Sequence, residues 1–197
     1  MSKVRLVLAS GSPARLKLLR QIGIEPEVVV SGVDESSVSG PPYDVALTLA
    51  VRKAQAVAPA YQDVLVLGCD SVLELDGEAL GKPDDAADAV ARWQRMRGRS
   101  GVLHTGHCLI DTRTGRDTAE VASTVVHFAD LTDEEIEDYV ATGEPLRVAG
   151  AFTIDGLGGP YIDGVEGDPH TVIGLSLPLL RRMLGDLGLR MCQLATP

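Results

Sequence analysis

Apolar residues along the chain follow two periods, and the places where one gives way to the other outline the elements. From Val4 to Ala9 the run is mostly apolar and β-prone, which predicts a buried strand; Ser10-Gly11-Ser12-Pro13 breaks it. Leu16, Leu18, Leu19 and Ile22 then recur at helical spacing, with Lys17 and Arg20 between them. Ser12 is placed to cap that helix, Pro13 to open it and Gly23 to end it. Glu27 to Ser31 reads as strand again, so the unit predicts a right-handed crossover between parallel strands. Beyond the Pro41-Pro42 loop, Asp44 to Ala58 reads as a helix stopped by Pro59.

Val64 to Gly68 predicts a buried strand ending at Cys69-Asp70. Ser71–Leu75 and Glu78–Leu80 flank Asp76-Gly77 as a hairpin. Asp84 or Asp85 caps a helix through Arg97, and Val102–Asp111 and Thr118–Ala129 read as long strands. Thr132-Asp133-Glu134-Glu135 is a capping box opening a helix that Gly143 and Pro145 terminate. The tail alternates Gly-rich turns with short strands, then forms a helix over 177–184 that begins near Ser176. Without repeat, linker or low-complexity tract, the pattern predicts one mixed α/β domain over residues 1–197.

Charge narrows the functions open to such a domain. Eighteen Lys and Arg against 28 Asp and Glu give a net charge of −10. This argues against a binder of nucleic-acid polymers, whose affinity comes from neutralising phosphates. It leaves room for a small anion, because a local cation cluster can oppose the global sign. No run approaches the roughly 18 apolar residues of a membrane span, and the apolar run after the basic start is too short for a signal peptide. Cys69, Cys108 and Cys192 lie far apart with no metal-ligand spacing. The expectation is a reduced, cytoplasmic protein.

Four places carry candidate chemistry. The Ser10-Gly11-Ser12-Pro13-Ala14-Arg15 turn joins a strand to a helix. Its free N–H groups, the helix dipole and Arg15 suit phosphate oxygens, although the same residues also make an ordinary N-cap with a surface arginine. Val33-Asp34-Glu35 sets two acids after a strand, either a divalent-cation site or a solvated loop. Asp70 follows the apolar run Val64–Leu67, at the sheet end where α/β folds place ligands. It is placed to bind metal or deprotonate water, or merely to cap a turn. Lys53 and Lys82 are ordinarily snorkelling surface residues, yet with Arg15 they make the local positive field a polyphosphate needs. His104 and His107 are three apart in a strand and point to opposite faces, so they form no site, and Trp93 reads as packing.

Taken in order, these segments resemble the Maf family of nucleoside triphosphate pyrophosphatases. Leu8-Ala9-Ser10-Gly11-Ser12-Pro13-Ala14-Arg15 is similar to the family's opening signature. Val33-Asp34-Glu35 is similar to its acidic pair, Asp70 to its strand-end acid and Gly81-Lys82-Pro83 to its next motif. Thr142–Pro145, Ala149–Phe152, Asp155–Gly158 and Val172–Leu175 follow in family order, so the resemblance covers essentially the whole chain.

The resemblance implies an elongated α/β fold with flanking helices and two lobes around a central cleft. It implies hydrolysis of nucleoside triphosphates between the α and β phosphates, a divalent cation (Mg²⁺ or Mn²⁺) and a homodimer. Carried over residue by residue, Asp70 is the proton acceptor and Glu35 with Asp70 the metal ligands. Ser10, Ser12, Arg15, Lys53 and Lys82 grip the triphosphate. Three positions set substrate choice. Members favouring thymidine and uridine triphosphates carry Arg, Thr and Gln there, and those favouring methylated guanosine triphosphate carry Trp, Gln and Glu. Ala14, Ser71 and Asp155 match neither set, so the preferred base stays open. Ser176 replaces the usual proline of the last motif. A nucleotidyltransferase shares a similar opening loop, and a nucleotide-binding regulator of cell division without turnover is the other competing reading.

Overall fold

The computed structural model describes residues 3–194 of the chain. A seven-stranded mixed sheet runs in the order β2 (Glu27–Val28), β1 (Arg5–Leu8), β3 (Val64–Leu75), β5 (Ser100–Asp111), β6 (Arg116–Phe128), β7 (Ile162–Glu166), with β4 (Glu78–Leu80) paired to the end of β3. The first unit is β1 (Arg5–Leu8), α1 (Pro13–Gln21) and β2 (Glu27–Val28), and both β2 and β3 pair with β1 in parallel, as the crossover pattern requires. The ladder of β2 is shorter than its sequence predicts. After Val29 donates to Leu8, the chain leaves the sheet, and Val30 to Val33 line a cleft instead.

Helix α2 (Pro42–Val57) starts two residues ahead of the predicted Asp44, because Pro42 takes the first helical position where no N–H is needed. It lies tightly on the sheet. A Cβ at Gly68 would collide with the Ala50 carbonyl, and one at Gly106 with the Ala46 carbonyl. Alanine on the helix and glycine on two neighbouring strands therefore set the spacing, as they do wherever backbones approach closely.

The strand predicted to stop at Gly68 is instead one continuous β3 (Val64–Leu75), joined by a tight turn to β4 (Glu78–Leu80). It has two sections. Arg5–Leu8 pairs with Val64–Leu67; past that point β5 (Ser100–Asp111) continues alongside, with Asp70 opposite Gly106, and β4 joins only at Leu73–Leu75. Asp70 thus sits mid-strand, yet just beyond the carboxyl end of the parallel part of the sheet.

Helix α3 (Ala86–Met96) is capped by Asp85, whose carboxylate accepts from the Asp88 N–H. Strand β6 (Arg116–Phe128) precedes α4 (Asp133–Ala141), which opens on both halves of the predicted box between Thr132 and Glu135. The tail forms β7 (Ile162–Glu166), the unpredicted short α5 (Pro169–Ile173) and α6 (Leu177–Asp186), which Ser176 caps through the Leu179 N–H. Ser176 also donates to Asp168 Oδ2 at 2.6 Å, a bond that a proline at this position could not make.

Two main apolar clusters flank the cleft region. One joins α1 and α6 to the parallel strands around Leu19, Leu67 and Met183. The other joins α3 and α4 to the far ends of β3 and β5 around Trp93, Phe128 and Tyr139. Trp93 packs edge-on against Phe128, Tyr139 and Tyr161 and donates its indole N–H to the Ala151 carbonyl at 2.8 Å, so it is a core residue as predicted.

Candidate active site

A cleft of about 1130 Å³ opens along the sheet between these clusters. That is just above the roughly 300–1,000 Å³ of most small-molecule sites. Ser10, Ser12, Ala14, Arg15, Glu35, Lys53, Asp70, Ser71, Lys82 and Asp155 all line it. Asp34 does not: its carboxylate caps the single helical turn Glu35–Ser37 by accepting from the Ser36 N–H, so only Glu35 of the acidic pair faces the cleft.

The turn after β1 builds one wall. The Ser12 hydroxyl caps α1 while the free N-terminal end of that helix faces the cavity. Arg15 is only 7% exposed, so it is no surface arginine. It donates to the Gly174 carbonyl at 2.7 Å, to Ser10 Oγ at 2.8 Å and to Ser71 Oγ at 3.0 Å. Ser71 in turn shares a hydrogen bond with Thr105, which donates to the Thr171 carbonyl. These partners are neutral, and among the described residues no carboxylate lies within ion-pair distance of Arg15, so its charge remains available to an anion.

The floor is built by α2 on β3. The close approach at Gly68 and Gly106 brings Lys53 to Asp70: its ammonium lies 2.6 Å from Asp70 Oδ1 and 2.6 Å from Glu35 Oε1. The Lys53 and Asp70 side chains are 10% exposed, whereas Glu35 is 53% exposed. Burial pushes the Asp70 carboxyl above the ordinary aspartate range, and the charges of Lys53 and Arg15 offset this only in part. Burial also raises Glu35, but there the Lys53 hydrogen bond and the charges of Lys53, Lys82 and Arg15 outweigh it and hold the carboxyl below its usual value. The two acids of one pair are thus driven apart, the pattern expected where one is to accept a proton and the other to stay ionised. Lys82, exposed in the turn after β4, adds charge to the rim.

Among the described residues no group of three or more His, Cys, Asp and Glu could hold a metal ion. Glu35 and Asp70 nevertheless aim two hard oxygens at one point, where the Lys53 ammonium stands. Such a donor set fits Mg²⁺ or Mn²⁺ when water and phosphate complete the shell.

Three features escape a reading of the sequence. Arg147 lines the rim from the turn Pro145–Arg147, with no ion-pair partner among the described residues. Lys17 reaches from α1 to Asp155 Oδ2 at 2.9 Å, joining residues 138 positions apart. Glu144 gathers the loop that carries Asp155. Only Arg147 had a local signal, a cation just after Thr142–Pro145; the other two pairings depend on how the chain comes back on itself. His104 and His107 take separate structural partners, Glu74 and Ser123 for the first, Thr105 and Ser176 for the second.

Fold and site define a class: an acidic α/β protein whose central cleft is lined by a buried carboxylate, a helix N-terminal end and a group of cationic side chains. The chain belongs to the Maf-like protein family, whose model matches residues 5–187. It is 65% identical over 192 residues to a protein of Salinispora tropica named nucleoside triphosphate pyrophosphatase, covering 94% of this chain and 85% of that one. It is 61% identical over 196 residues to the protein of that name from Streptomyces avermitilis, covering 98% and 95%. At 50% identity over 186 residues, covering 94% and 95%, the same name belongs to a protein of Microcystis aeruginosa. Among solved structures, the Staphylococcus aureus Ham1 protein aligns with a TM-score of 0.47 at 15% identity, over 97% of this chain and 93% of that one.

Proposed function

We propose that the protein is a nucleoside triphosphate pyrophosphatase, a hydrolase acting on an acid anhydride, which converts a nucleoside triphosphate and water to a nucleoside monophosphate and pyrophosphate. The observation that carries this reading is Asp70: a buried carboxylate with a raised proton affinity, on the floor of a cleft that Arg15, Lys53, Lys82 and Arg147 also line. Membership of the family and the shared name of its close relatives support it.

Phosphoryl chemistry is mostly a matter of positioning and charge. The N-terminal end of α1, Ser10, Ser12 and Arg15 bind phosphate oxygens from one side, and Lys82 and Arg147 meet the chain of phosphates at the rim. Asp70 orients a water against the α phosphorus and takes its proton. The new bond runs from the water oxygen to that phosphorus, the bond to the bridging oxygen breaks, and pyrophosphate leaves with the bonding pair. Asp70 bonds Lys53 through Oδ1, and Oδ2 has no hydrogen-bond partner among the described residues, so one oxygen is free for this role. Glu35 and Asp70 would hold a divalent cation, which supplies charge neutralisation to the phosphates when bound. Were the cation to take the place of its ammonium between the two acids, Lys53 would have phosphate oxygens as its alternative partners. Ala14, Ser71 and Asp155 stand where the base and sugar end of the substrate is sensed.

On the same reading the protein works in the cytoplasm as a homodimer, with nucleotide rather than nucleic acid or membrane as its partner. Among the described residues no helix is long and apolar enough to cross a membrane.

The test is product analysis with purified protein and Mg²⁺ or Mn²⁺ across standard and modified nucleoside triphosphates. Equal amounts of monophosphate and pyrophosphate, with no acceptor but water, are expected. Release of diphosphate and phosphate, or a requirement for a second organic substrate, would replace the assignment with another reaction class.

A further inference from the structure

Glu144 is the most heavily used carboxylate of the cleft, yet it faces no cation. It follows α4 and carries four hydrogen bonds. Oε1 accepts from the Tyr139 hydroxyl at 2.9 Å, from Thr153 Oγ1 at 2.6 Å and from the Gly158 N–H at 3.0 Å. Oε2 accepts from the Leu157 N–H at 3.0 Å. Among the described residues no Lys, Arg or His comes within ion-pair distance of it. The four donors satisfy the charge and, against the effect of burial, hold its carboxyl below the ordinary range.

Three of those donors lie in one loop, 153–158, and the loop is wound closely onto the carboxylate. A Cβ at Gly156 would strike Glu144 Oε2, and one at Gly158 would strike the Tyr139 hydroxyl. Tyr139 is itself fixed, buried edge-on against Trp93 and tilted against Tyr161. The peg therefore stands on the rigid aromatic core, and the loop hangs from the peg. At the loop's apex Asp155 faces the cavity, its Oδ2 bonded to Lys17 on the opposite wall.

An apolar residue here would leave the Tyr139 and Thr153 hydroxyls and the Leu157 and Gly158 N–H groups without their acceptor, and a neutral amide could accept only part of them. What a carboxylate adds is several directed bonds from one point. We infer that Glu144 is a positioning residue for substrate discrimination: by pinning Thr153, Leu157 and Gly158 it fixes where Asp155 stands against the nucleoside end of the substrate. This rests on the pyrophosphatase reading of the cleft. Glu144 touches no reacting atom, so its loss changes which triphosphate is preferred and how tightly it is held, more than the rate of the bond-breaking step.

The test compares the wild type with Glu144→Gln. An amide keeps the shape but must turn an NH₂ toward a backbone N–H that now has no acceptor. For each triphosphate of a panel, kcat and KM are measured. For the best and worst substrates, binding of their nonhydrolysable analogues is also measured by calorimetry. The expected result is KM raised about fivefold or more, kcat within about threefold, and the best-to-worst ratio of kcat/KM compressed at least threefold. The shift should run in the same direction as in Asp155→Asn. Thr153→Val removes one donor at nearly constant volume and should give a smaller change of the same sign, so a failure of Glu144→Gln to fold leaves the question decidable. A folded Glu144→Gln or Thr153→Val with the wild-type discrimination ratio overturns the inference. Wild-type protein that turns over none of the panel counts instead against the pyrophosphatase reading, and the ratio of analogue affinities then decides the role of Glu144.

Discussion

Replacing Lys53 by Met keeps most of the side chain's apolar stem on α2 while deleting the ammonium that joins Glu35 and Asp70. Two carboxylates then face each other, one buried and one half in water. Removing one partner of a buried ion pair costs about 3–5 kcal/mol, because the other charge is left uncompensated. The Glu35 arm adds little, since water screens an acid that is 53% exposed, and such pairs contribute about 0–1 kcal/mol. The expected loss at pH 8 is therefore about 3 kcal/mol, carried by Asp70. Its sign with pH follows from linkage. Burial already raises Asp70 in the folded state, and without Lys53 it rises further. The folded variant then binds a proton more readily than the unfolded chain, so stability is lost as pH rises through that folded value and recovered below it. Urea unfolding of both proteins from pH 5 to pH 8 measures this, with a gap that narrows toward acid. The acid limb of the kcat/KM profile should move to higher pH in the variant, since the base now holds its proton longer. A gap under about 1 kcal/mol at pH 8, or one that does not change with pH, would refute the view that Lys53 neutralises a buried Asp70.

Two further substitutions probe the frame around this pair. His107 is wholly buried; its Nε2 accepts from the Ser176 N–H and its Nδ1–H donates to the Thr105 carbonyl, and burial, aided by the Arg15 charge, brings its pKa down to about 4. Stability should be full above the unfolded value near 6.5 and fall as pH drops toward 4, by about 3 kcal/mol at most; His107→Gln should flatten that slope in urea titrations. Gly106→Ala drives a Cβ into the Ala46 carbonyl, so α2 must lift from the sheet. The expected cost is about 1–3 kcal/mol or more in thermal unfolding, together with a fall in kcat as Lys53 moves away from Asp70, and unchanged stability with unchanged kcat would show that the helix has room to spare.

What the sequence made legible was local. The Ser12 cap and the Thr132–Glu135 box each depend on residues within a few positions, the β1-α1-β2 crossover on one short stretch from Arg5 to Val28, and the observed elements follow them. The cation-bearing turn and Asp70 were equally visible, because a strand end followed by Gly, Ser or Asp marks where α/β sheets bind ligands. The errors have one cause. Whether β3 ends at Gly68 depends on β5 continuing beside it, and whether Glu27–Ser31 stays in the sheet depends on β1 ending at Leu8. Neither partner is encoded nearby. The same holds within the cleft: Lys53 is recognisable as a lysine in an apolar helix, but its neighbours become Glu35 and Asp70 only because two glycines let α2 settle. Glu144 carries no sign at all of the four donors that return to it.

The most direct measurement is on Asp70→Asn, with pyrophosphate release and binding of a nonhydrolysable triphosphate recorded on the same protein. An amide cannot take up the proton of the attacking water, while the cations that hold the phosphates stay in place. The account predicts turnover lowered by about a hundredfold or more with affinity for the analogue kept within a few-fold. Turnover near the wild-type rate would contradict it, since proton removal would then belong to another group.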